Sequence, residues 1–181
     1  MLYVILVIIA IIVIYVLVSY NSFVKLNNSV KEAFSTMDVY LKKRWDLVPN
    51  LVEVVKGYTK HESSVLEQIV KLRNSSYDKM SLTEKINTNQ QLSSGISKLM
   101  AVAENYPELK ASQNFSDLTN QLSKIEDEIA NSRKYYNAVV RKLNTKVEMF
   151  PSNIIAKMFK FKLSKMFEVA DVERNNVKVE L

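Results

Sequence analysis

The only imidazole in this 181-residue chain is His61, and Glu62 follows it directly. Imidazole and carboxylate are the groups that general acid-base catalysis or a metal site would use. Adjacent helical positions point about 100° apart, so these two side chains do not face one another. No HExxH pattern surrounds them, and a metal would need ligands from elsewhere in the chain. Cysteine is absent, which excludes disulfides, thiolate metal sites and a thiol nucleophile. Serines are many, but there is no G-x-S-x-G elbow and the single histidine has no evident triad partner. The reading is therefore a protein without catalytic residues, metal, cofactor or identifiable small-molecule substrate. A net charge of +6 raises the question of nucleic acid, but acids are interleaved with the bases and no aromatic-basic ladder runs through them, so none is expected.

Glu62 says more as a packing residue. It falls on an apolar seam, where a bare carboxylate is costly to bury and needs a partner. Glu126 and Arg133, seven residues apart, share one face of a later helix, and Arg44 lies near the first seam. The expectation is a polar layer in which Glu62 or Glu126 meets Arg44 or Arg133 and fixes helix register. The alternative is that all four reach solvent along the edge of the helices.

The elements that would hold such a layer are helices. With 48% apolar residues but only two glycines and three prolines, the chain lacks the breakers that sandwiches, barrels and doubly wound sheets need. Apolar residues keep a helical period in four stripes. The first runs from Phe23 through Val30, Met37 and Leu41 to Val48. The second runs from Leu51 to Leu72, the third from Leu92 to Tyr106 and the fourth from Phe115 to Leu143. Four such amphipathic helices bury their seams in an all-α, up-and-down four-helix bundle. Pro49 is expected to start a helix or mark a bend, Pro107 to end the third helix, and Ser81 with Glu84 to form a capping box.

Ahead of these stripes, Leu2 to Val18 (LYVILVIIAIIVIYVLV) carries no charge. As a helix it rises about 26 Å, close to a hydrocarbon core of about 30 Å. Its fourteen Leu, Ile and Val residues favour insertion by about 4 to 8 kcal/mol in sum. A cleaved signal would need a basic start and a small-residue cleavage site, and the sequence has neither, so an uncleaved single-pass anchor is expected. Lys25, Lys31, Lys42, Lys43 and Arg44 follow the span, and no basic residue precedes it. The positive-inside rule thus puts the bundle in the cytoplasm and the amino terminus outside. Because Glu32 and Asp38 intervene, a bundle on the outside stands as the alternative. The anchor and first bundle helix can be one rod.

At the other end, Phe150 to Phe167 holds four lysines and no acid among large apolar residues. That mixture suits an anionic membrane surface. Lys157, Phe159, Lys160, Phe161, Lys162 and Lys165 are the candidate lipid contacts; the alternative is that the phenylalanines cap the bundle's end. An up-and-down bundle delivers this segment back to the bilayer face. The chain so divides into an anchor (1–20), a bundle (21–149) and a basic amphipathic C-terminal segment and tail (150–181).

The run YNSFVKLNNSVKEAFSTMDVYLKKRWDLVPNLVEVVKGYTKHE, residues 20–62, resembles the LemA family of bacterial membrane proteins. Later landmarks keep the family's order: AENYPELKA at 103–111, Asn114 with Phe115, RKYYN at 133–137, Asn144, and FPSNIIAKMFKF at 150–161. Two departures are Phe34, where the family often has tryptophan, and Lys160, where a glycine is common; the second puts a glycine-dependent turn in doubt. The resemblance implies a single-pass protein with a four-helix domain, linked to membrane organisation or envelope stress rather than to a defined reaction. Three roles follow from the residues and the resemblance together. One is a scaffold or adaptor that meets other membrane proteins or itself. Another is an accessory subunit modulating a membrane protease or chaperone, and the third, for which catalytic groups are lacking, is an envelope hydrolase.

Overall fold

The computed structural model describes residues 1–59, 63–72 and 76–167, and His61 and Glu62 lie outside them. Its elements are α1 (Leu2–Tyr58), α2 (Ser63–Leu72), a 3₁₀ turn (Tyr77–Lys79), α3 (Leu82–Ala103), α4 (Pro107–Lys110), α5 (Gln113–Glu148) and α6 (Ser152–Met158). The described residues contain no strand, so the all-helical expectation holds. One helix, α1, is long and apolar enough to cross a membrane, and its stretch from Leu2 to Val18 lies almost wholly exposed.

Two expectations about breaks are corrected. Pro49 neither starts a helix nor bends the chain out of one: α1 continues across it to Tyr58. Proline there removes a hydrogen bond to the Trp45 carbonyl, at a cost of about 3 kcal/mol. Burial of Leu51, Val52 and Val55 just beyond it, about 1.5 to 3 kcal/mol each, outweighs that. Leu51–Leu72 is consequently not one helix, because Leu51–Tyr58 completes α1 and α2 begins at Ser63. Pro107 does not end the third helix either. That helix stops at Ala103, and Pro107 opens the single turn of α4, where its missing N–H has no helical partner to lose.

The chain forms two units. The first comprises Met1–Met37 and Ser132–Met166. Its core takes Phe23, Val30, Ala33 and Met37 from α1, Tyr136, Val139, Val140 and Leu143 from α5, and Ile155 and Ala156 from α6. Phe34 meets Tyr136 edge-on at 5.8 Å, and Phe161 stacks on Phe23 at 4.8 Å. After α6 the chain lies along α5. There the Asn144 side chain exchanges two hydrogen bonds of 2.9 Å with the backbone of Ser164, and the Tyr136 hydroxyl donates to the Lys165 carbonyl at 2.8 Å.

The turn that starts this return runs through Lys160, whose φ of 59° is left-handed. The Phe161 N–H donates to the Ala156 carbonyl and the Lys160 N–H to that of Lys157. This is the paired-bond helix ending that glycine usually serves. The turn doubted on sequence grounds is therefore made, with lysine in it.

The second unit comprises 38–131 and Phe167. Leu41, Trp45, Val48, Leu51, Val52 and Val55 line α1's buried face there, and Ile86, Leu92, Ile96 and Leu99 that of α3. Ser81 and Glu84 complete the capping box that opens α3. Gly95 lets α2 come close to α3: a Cβ at this position would meet Ile69 Cγ1 at 3.0 Å.

Candidate functional site

Polar chemistry concentrates inside the second unit, around Arg44. This residue follows Leu41 by three positions and precedes Val48 by four, so helical period puts it on the buried seam of α1. Only 2% of it is exposed. Burying a guanidinium costs several kcal/mol unless partners meet its donors. Here Nη1 donates to Ser93 Oγ at 2.8 Å and to both carboxylate oxygens of Glu126 at 2.7 and 3.0 Å. Nη2 donates to the Asn89 carbonyl at 3.0 Å and to Asn89 Oδ1 at 2.8 Å. Asn89 is fully buried and is itself oriented by its Nδ2, which donates to the Lys85 carbonyl at 2.9 Å. Arg44 thus ties α1 to α3 and α5 within this unit.

Beside it lies a second polar group. Asp38 accepts from the Tyr77 hydroxyl at 2.6 Å and from Lys85 Nζ at 2.6 Å. The Lys85 ammonium also stands over the Tyr77 ring at 4.7 Å, and Trp45 packs against that ring at 5.3 Å. Burial, and then the hydrogen bond and charge of Asp38, push the Tyr77 hydroxyl far above its ordinary range. Tyr77 therefore keeps its proton and serves as a donor.

The geometry does structural work. Each carboxylate in it is held by cations or a phenol, the Tyr77 phenol keeps its proton, and among the described residues no three metal-ligating side chains converge. Of the expected layer, Arg44 and Glu126 are brought together. Glu62 lies outside the described residues. Arg133 is half-buried on α5 in the first unit, seven residues past Glu126. Sequence reasoning missed Asn89, Ser93, Asp38, Tyr77 and Lys85. The signal for Asn89 was available: it stands three positions after Ile86 and three before Leu92, on the seam of α3.

The candidate lipid contacts fall in the first unit. Lys157, Lys160, Lys162 and Lys165 are exposed, Phe159 is 43% exposed, and Phe161 is half-buried on Phe23. Tyr20, just past the apolar run, packs on Phe159 at 4.7 Å and on Phe161 at 5.8 Å.

Residues 33–181 match the model of the LemA family. The chain belongs to the LemA family. Among its relatives is Protein LemA of Metamycoplasma hominis, 27% identical over 87% of this chain and 72% of that protein. Magnetosome protein MamQ 2 of Paramagnetospirillum magneticum is 24% identical over 84% of this chain, which spans 65% of the relative's length. Magnetosome protein MamQ of Magnetospirillum gryphiswaldense is 22% identical over 83% and 65%. None of these names denotes a reaction. The Arg44 network falls inside the part of this LemA-family chain that the family model covers.

Proposed function

We propose that the chain is a single-pass, membrane-anchored scaffold or adaptor, without catalytic activity, acting in membrane organisation or envelope stress. Leu2–Val18 is the span, and α1 beyond residue 20, α2, α3 and α5 are the helices of an up-and-down four-helix domain. Arg44, Asn89 and Glu126 fix their register, and the segment over residues 150–167 lies on the headgroups of the same membrane.

The observation that carries this reading is the packing of Tyr20 on Phe159. Tyr20 lies two positions past the apolar run of α1, and Phe159 is flanked by exposed Lys157, Met158 and Lys160, which supports a headgroup contact. Membership of the family and relatives named for a magnetosome support a membrane role. The distribution of basic residues supports a cytoplasmic domain with the amino terminus outside.

The test is fractionation together with protease accessibility. The full chain is expected to float with membranes and to resist carbonate extraction, with the helical domain digested only after cells are opened. Recovery in the aqueous fraction without detergent overturns the anchor, and digestion in intact cells reverses the orientation. Spin labels at positions 160 and 162 are expected to sense bilayer relaxation agents; silence there removes the headgroup contact alone. Capture of one stoichiometric membrane protease or chaperone from mild detergent would replace the scaffold by an accessory subunit.

A further inference from the structure

Where the apolar run of α1 gives way to polar sequence, the first unit contains a cavity of about 560 Å³. Its lining combines apolar and basic residues. Tyr15 and Val18 of α1, with Met149 and Phe150, supply apolar surface, and Tyr15 and Val18 belong to the exposed span. Arg141, Lys142 and Lys146 of α5 also line it, and among the described residues no acid does.

Ser19 also borders it. This serine is only 5% exposed, and its Oγ has no hydrogen-bond partner among the described residues. A buried hydroxyl left unpaired is costly, so a ligand offering it a partner would be stabilised there. Among the described residues Lys146 pairs with no carboxylate: its ammonium stands 5.2 Å from the centre of the Phe23 ring, and burial lowers its pKa. The carbonyl end of α5 lies close by and carries about half a negative charge. The Ser152 hydroxyl, which donates to the Lys146 and Met149 carbonyls at 2.6 and 2.8 Å, covers part of that charge. Three cations outweigh the remainder.

We propose that this cavity binds one anionic glycerophospholipid, its phosphate held by Arg141, Lys142 and Lys146 and an acyl chain laid along Tyr15, Val18, Met149 and Phe150. The inference rests on the anchored reading, because it takes the end of the apolar run to mark the headgroup level. Charge complementarity selects an anion, and the apolar lining that includes Tyr15 and Val18 of the span selects one with a hydrocarbon chain over free phosphate. The volume suits a headgroup and upper chain. An α-helix, about 10 to 12 Å across with its side chains, does not fit.

The test uses the full chain in phosphatidylcholine vesicles doped with chain-spin-labelled phosphatidylglycerol or, in parallel, chain-spin-labelled phosphatidylcholine. A motionally restricted component is expected for phosphatidylglycerol in clear excess over phosphatidylcholine. Arg141→Gln with Lys142→Gln should lower that preference roughly tenfold. Lys124→Gln with Lys134→Gln, which removes exposed charge from α5 outside the cavity lining, should leave it in place, as should added inorganic phosphate. Equal restriction of the two lipids, indifference to the α5 pair, or displacement by inorganic phosphate each overturns the site. If the α5 pair fails to fold by circular dichroism, Thr145→Trp fills the cavity from an exposed position. It must abolish the restricted component, and persistence overturns the proposal. Co-flotation with the vesicles is scored separately: a chain that floats without lipid preference refutes the site and keeps the anchor, whereas one that does not float refutes the anchor.

Discussion

Replacing Arg44 by methionine keeps most of the side chain's volume but withdraws the donors on which fully buried Asn89 depends. Glu126, with 39% of its side chain exposed, can turn to water. The cost should thus come chiefly from the orphaned amide, about 2 to 3 kcal/mol, read from chemical unfolding of the full chain in detergent. Arg44→Met with Asn89→Leu removes the orphan too, and should recover wild-type stability or exceed it by about 1 kcal/mol. If the layer fixes register, that double variant will show broadened spin-label distances between α1 and α3 despite its stability. Distances as sharp as wild type would leave Arg44 with no register role. Lys160 offers a simpler case. Its left-handed backbone costs about 1 kcal/mol that glycine avoids, so Lys160→Gly should raise stability by about that amount. Tyr77 sets a pH dependence. Its folded-state pKa is raised, so its contribution is complete below the ordinary tyrosine value of about 10 and is lost as pH climbs beyond it. Tyr77→Phe should flatten the fall in stability above that point, leaving the part due to Tyr136, whose hydroxyl is also raised by burial.

Among the elements, α1 gives the sharpest lesson. Its seam is legible from Phe23 to Val55 because helical period and burial coincide, and the gap between Leu41 and Val48 is where Arg44 sits. Pro49 reads locally as a break, but the buried residues on either side of it outweigh its cost. Pro49→Ala restores the lost N–H and should stabilise by about 2 kcal/mol, since the gain in the helix exceeds the stiffness proline lends the unfolded chain. A loss of stability would mean that α1 needs the proline. The capping box of α3 was readable because Ser81 and Glu84 are local in sequence. Asp38, Tyr77 and Lys85 come from three segments, and nothing in their spacing foretells that they meet. The turn at Lys160 was unreadable for a different reason: the bonds from the Lys160 and Phe161 N–H groups stabilise a conformation the residue type disfavours.

For the whole molecule, the question is what holds it on a membrane, and magnitudes decide it. Fourteen branched aliphatic residues favour insertion by about 4 to 8 kcal/mol. One lysine at the middle of the span replaces an isoleucine and costs about 3 to 4 kcal/mol, so Ile9→Lys should leave most of the chain in the membrane fraction. Ile9→Lys with Ile12→Lys costs about twice that, enough to cancel the preference, and should release the protein. Flotation of both variants with membranes at physiological salt is the measurement. Release by the single substitution would mean that the span is weaker than its composition implies. Retention of the double variant would shift the anchoring to the C-terminal segment, whose four lysines hold by charge. That attachment should then fail at high salt, where the Debye length falls to about 3 Å, whereas a spanning helix is indifferent to salt. Salt sensitivity of the double variant, set beside salt resistance of the wild type, would therefore assign the apolar run the anchoring and the lysines a secondary grip on the same surface.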